Sequence, residues 1–98
     1  MPTVATDIHR ANLQNLLERR GGLDHLHVRK HGASLVLYTL DGDDRVSRAR
    51  FTAISRMRWR LDMPLHTGRW EQTPYEGSLS GLLELLISDF APWIAPLV

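Results

Sequence analysis

No cysteine occurs among the 98 residues, so disulfides, thiolate metal sites and thiol catalysis are excluded. That absence fits a reducing, cytoplasmic setting. Long apolar runs are missing as well. The longest, Leu82–Ile87, is broken by Glu84, far short of the roughly 20 residues that span a bilayer, and no membrane partner is expected. Met1–Asp7 has no basic cluster followed by an apolar stretch, so no secretory signal is expected. No glycine-rich phosphate cradle and no Gly-x-Ser-x-Gly elbow is present. The net charge of +1 imposes no overall sign on a partner.

What remains is an ordinary globular composition, 43% apolar and 23% charged, in a chain long enough for one modest core. We expect a single α+β domain over 1–98. The charge is unevenly placed. Residues 29–60 carry eight basic residues against three acidic ones, a net +5, and residues 61–98 carry one against five, a net −4. Eleven of the twelve basic residues are arginine, which favours planar, forked contacts over point charge.

Thr6 is placed to cap a helix from about Asp7 to Arg20, with Gly21-Gly22 as its stop. Leu13, Leu16 and Leu17 give it a narrow apolar stripe. From Leu23 the period becomes two. His25, His27, Arg29 and His31 fall on one strand face, and Leu26 and Val28 on the other. A turn at His31-Gly32 leads to the apolar strand Ala33–Leu40, and Asp41-Gly42-Asp43-Asp44 reads as a hairpin turn. A third strand is expected from Arg45 to Ile54, with Ala49, Phe51 and Ala53 inward. A fourth is expected from Arg56 to Met63, with Met57, Trp59, Leu61 and Met63 inward. Residues 65–77 read as an irregular loop, long for so small a domain. Ser78 is placed to cap a last helix with Leu79, Leu82, Leu83, Leu86 and Phe90 on one face, ending at Pro92. The tail Trp93–Val98 is apolar and should dock. The expected architecture is therefore a four-stranded antiparallel meander, with an N-terminal and a C-terminal helix on one face.

Four groups of residues invite a functional reading. Alternation places Arg48, Arg50, Arg56, Arg58 and Arg60 on one sheet surface. Such a surface suits phosphates or carboxylates, nucleic acid included. The simpler explanation is a solvated face whose arginine stems cover apolar surface. The strand aromatics Phe51 and Trp59 are expected on the opposite face, which weakens base stacking. His25 and His27 are two apart on a strand, but a zinc ion needs three or four ligands, so no metal site is assigned. The loop residues His66, Arg69, Trp70 and Tyr75 have the aromatic and charged mixture of binding hot spots. His66 with Glu71 or Glu76 could form an acid/base pair, but no nucleophile or oxyanion arrangement accompanies it. Finally, Leu85 and the tail residues Trp93, Ile94, Leu97 and Val98 are surplus apolar surface that favours self-association.

The stretch from Arg58 to Phe90 resembles small uncharacterised bacterial proteins. The shared features are a tryptophan strand, the Thr67-Gly68-Arg69-Trp70-Glu71 turn, the Thr73-Pro74-Tyr75 step and a leucine-rich final helix. The resemblance covers about a third of the chain. It implies a compact bacterial domain and brings no activity or site residue with it.

From these residues the expected function is a small non-enzymatic protein-interaction module, bound to another protein or to a second copy, with no cofactor. The alternatives are nucleic-acid binding through the arginine face and a small enzyme centred on His66.

Overall fold

The structure, a computed structural model, describes residues 4–96. Thr6 opens helix α1 (Asp7–Arg20) with a reciprocal cap. Its hydroxyl accepts from the His9 N–H at 3.2 Å, and its own N–H donates to His9 Nδ1 at 3.1 Å. Two of the N–H groups that every helix start leaves unpaired are thereby satisfied. Leu13 and Leu17 turn into the core, and Arg19 and Arg20 meet the negative end of the helix.

Five strands follow: β1 (His27–His31), β2 (Ser34–Asp41), β3 (Asp44–Ala53), β4 (Trp59–Pro64) and β5 (Trp70–Gly77). They form one antiparallel meander in the order β1-β2-β3-β4-β5. Helix α2 (Leu79–Asp89) and the short α3 (Ala91–Ile94) close the chain. The Ser78 hydroxyl caps α2 by accepting from the Gly81 N–H.

Two features differ from the four-strand expectation. Residues 65–77 are not an irregular loop. A tight turn, closed by the Leu65 N–H to the Arg69 carbonyl at 2.7 Å, reverses the chain at Gly68, whose φ of +86° favours glycine. The chain then pairs with β4 as a fifth strand. Pro74 disguises it, because proline removes a ladder donor and is tolerated only on an edge, where β5 lies. In addition, β4 starts at Trp59 rather than Arg56. Arg56, Met57 and Arg58 belong to the exposed β3–β4 loop, so Met57, expected inward, is 86% exposed.

Cross-strand partners project to one side, so the register assigns the two faces. Leu35, Phe51 and Leu61 make one inner row, with Leu37 opposite Ala49 and Ala53 opposite Trp59. Leu13 and Leu17 of α1, Leu82, Leu83 and Leu86 of α2, and Ile94 of α3 pack against these residues. The helices thus cover this face alone. Of the apolar tail, Ile94 is buried and Trp93 is half-exposed; Leu97 and Val98 lie outside the described residues. No helix among the described residues is long and apolar enough to cross a membrane.

Candidate binding face of the sheet

The opposite face has two rows that run across all five strands. One is His31, Ser34, Thr52, Arg60 and Glu76; the next is Arg29, Val36, Arg50, Asp62 and Gln72. At their centre lies Asp62, whose side chain is fully buried. Arg50 Nε donates to its Oδ2 at 2.9 Å and Arg60 Nε to its Oδ1 at 2.8 Å. The Thr52 hydroxyl donates to Oδ2 at 2.6 Å. With the Thr52 proton committed there, the Ser34 hydroxyl, 3.0 Å from Thr52 Oγ1, is the donor of that second bond. A relay therefore runs from Ser34 through Thr52 to the carboxylate.

Two opposing effects act on Asp62. Burial pushes its carboxyl up. The hydrogen bonds from Arg60, Thr52 and Arg50, with the Arg50 charge, outweigh burial and hold it below the ordinary carboxylate range. The same bond to Asp62 holds the Arg60 guanidinium up. The Asp62 carboxylate is ionised and shared, so neither arginine stands as a free cation. Among neighbouring cations, Arg58 donates to Glu76 at 2.9 Å. The Arg29 Nε is buried with no hydrogen-bond partner among the described residues.

Aromatic rings also reach this face. The Arg50 guanidinium lies over the Trp70 ring, 4.7 Å from its centroid, and Arg45 lies over Tyr38 at 5.3 Å. The His27 ring stacks against Tyr38 from β1, with centroids 5.4 Å apart. The face thus carries two guanidinium–ring pairs about a buried carboxylate shared by two arginines. Phe51 and Trp59 are buried on the helix side, as expected, whereas Tyr38 and Trp70 stand with the arginines on the outer face.

The arginines expected on one surface divide among three places. Arg50 and Arg60 hold Asp62, with Arg58 beside them on Glu76. Arg48 leaves the alternation at a bulge, where Ala49 pairs with Leu37 but Ser47 pairs with Tyr38. Its Nε donates to the Trp93 carbonyl of α3 at 2.6 Å and its Nη1 to the buried Thr39 hydroxyl at 3.3 Å. Burial pulls this guanidinium down. Arg56 lies in the β3–β4 loop and lines a cleft beside α1.

The loop candidates also separate. Trp70 is on the outer face, whereas Tyr75 meets Phe90 edge-on at 5.9 Å. His66 and Arg69 are exposed in the β4–β5 turn, and His66 lines a notch with Val46, Pro64 and Trp93. Neither Glu71 nor Glu76 lines that notch, so the acid/base pair drawn from His66 is not assembled. His25 Nε2 is 2.6 Å from the Ile94 carbonyl, while His27 stacks on Tyr38. The two rings do not converge, and no group of three potential ligands occurs among the described residues. Arg45 and Tyr38 were missed in the sequence. Their signal was positional, since Tyr38 shares its strand face with Val36 and Ser34, but the register of β2 with β3 was needed to see it.

No family model matches the chain, and neither does any curated protein or solved structure.

Proposed function

We propose that the chain is a non-enzymatic protein-binding module and that the uncovered face of its sheet is the contact surface. One observation carries this reading: Trp70 and Tyr38, each under an arginine, stand on the face that no helix covers. Tyrosine, tryptophan and arginine dominate the energetics of protein interfaces. A ring already held by a guanidinium loses little side-chain freedom when a partner covers it. The three arginines of the centre are paired with Asp62 and Glu76, three guanidiniums to two carboxylates, so most of their charge is already met within the face, which suits burial against another protein better than phosphate neutralisation. A second copy is the first partner to test, and the cysteine-free composition agrees with action in the cytoplasm.

A second reading, single-stranded nucleic-acid binding, is favoured by the same two rings, because stacking platforms beside arginines are what such ligands use. Light scattering over a wide concentration range, with wild type beside Y38A/W70A, separates the two. A mass that rises towards a dimer in the wild type and stays monomeric in the variant supports protein contact. A monomer at every concentration that binds oligonucleotides, with affinity falling steeply as salt rises, transfers the face to nucleic acid.

A further inference from the structure

On the other side of the molecule, α1, the start of α2 and the β3–β4 loop border an open cleft of about 470 Å³. That is within the range of small-molecule sites, roughly 300–1,000 Å³. Its floor is apolar: Trp59, almost fully buried, with Leu16 and Leu79. Met57, the most exposed large apolar side chain among the described residues, stands at its rim. An exposed methionine gives a cleft an adaptable, polarisable wall.

The charge around this floor has one sign. Arg19 and Arg56 line the cleft, and no acidic residue does. Neither arginine makes an ion pair among the described residues, in contrast to Arg20, which meets Glu84, and to Arg50, Arg58 and Arg60. Two unneutralised guanidiniums beside a concave apolar floor suit an anion with an apolar body. His9 adds orientation. Its ring meets Trp59 edge-on, with centroids 5.0 Å apart. Because Nδ1 accepts the Thr6 N–H, the ring proton sits on Nε2, and His9 is one of the residues that line the cleft.

We propose that this cleft binds a small amphipathic carboxylate, its head held by Arg19 and Arg56 and its aromatic or short acyl body laid on Leu16, Leu79 and Met57, above the buried Trp59. The site lies outside the outer sheet face and does not depend on the function proposed for that face.

The test titrates 2-naphthoate and octanoate into the ¹⁵N-labelled full chain and follows amide shifts. The neutral isosteres 2-naphthalenemethanol and octanol run beside them, with wild type compared against R19A/R56A. Saturable shifts confined to α1, the β3–β4 loop and the start of α2 are expected. The double variant should bind the carboxylates about ten- to a hundredfold more weakly, as expected for loss of charge-assisted hydrogen bonds, while the neutral compounds bind both proteins equally. Because both arginines are exposed, the variant should keep its spectrum elsewhere. A second variant, M57D, puts a negative charge at the rim and should weaken the carboxylates alone. Three outcomes overturn the proposal: no saturable shift with either carboxylate, equal affinity for carboxylate and neutral isostere in the wild type, or unchanged carboxylate affinity in R19A/R56A.

Discussion

The Nε of Arg50 lies 2.9 Å from Oδ2 of Asp62, at the centre of a sheet face that no helix covers. The acid is fully buried and the arginine side chain is 21% exposed. The pair therefore sits where water screens it poorly. Removing the carboxylate charge leaves Arg50 and Arg60 largely desolvated, with Glu76, already paired to Arg58, as the remaining carboxylate acting on Arg60. Loss of one partner of a buried pair costs about 3–5 kcal/mol. D62N should destabilise the fold by about 3 kcal/mol, the partial exposure of both arginines placing it at the lower end. Urea unfolding checks this: the midpoint should fall with the slope unchanged. A midpoint unaltered by D62N would mean that Arg50 and Arg60 repack at no cost.

The same carboxylate sets an acid limit on stability. Asp62 is held below the ordinary carboxylate range in the folded chain, and an unfolded Asp titrates near 3.9. The unfolded state then takes up the proton first as the pH falls. Its contribution is fully present above about pH 4 and is lost as the pH drops through the lower folded value. The stability difference between wild type and D62N should be constant from neutral pH down to about pH 5 and narrow below pH 4. Urea titrations across that range read it directly, and a difference that stays constant to pH 2 would exclude Asp62 as the responsible group.

Features governed by neighbouring residues were legible in the sequence. Thr6 and Ser78 announced the helix starts, and Asp41-Gly42 announced a hairpin that the structure contains, with Asp41 paired to Asp44. Features governed by register were not. β5 was hidden because Pro74 breaks the alternation and only the edge position of the strand makes it acceptable. Arg48 was misassigned because a bulge is decided by the partner strand, and one extra residue redirects a side chain. The Asp62 centre was half visible. Arg60 and Asp62, two apart on one strand, share a face, but Arg50 arrives from a different strand and Trp70 from a third.

Arg48 and Arg56 looked alike in the sequence, and their substitutions should now differ. R48A removes the donor to the Trp93 carbonyl and strands the Thr39 hydroxyl, which is only 2% exposed. A buried polar group left without a partner costs about 1–3 kcal/mol. R56A removes an exposed loop side chain with no ion pair among the described residues and should leave the unfolding midpoint unchanged. Hydrogen exchange adds a local readout. The Trp93 amide, which donates to the Phe90 carbonyl, should exchange faster in R48A and not in R56A. Equal effects of the two substitutions would mean that the bulge does not commit Arg48 to α3.

Trp70 and Arg50 should be energetically coupled. The guanidinium lies 4.7 Å from the ring centroid while its Nε holds Asp62, so its plane is fixed by one partner and offered to the other. R50K keeps a positive charge near Asp62 and removes the flat surface over the ring; W70L keeps an apolar side chain and removes the ring. In a double-mutant cycle the coupling should be about 0.5–1 kcal/mol, the magnitude of a partly exposed cation–π pair. The value also bears on how the face works. A coupled ring is held in place before any partner arrives, so little of the binding energy is spent ordering it. If the coupling is zero, Trp70 is an ordinary packed side chain, and the outer face loses its strongest ground for being a prearranged contact surface.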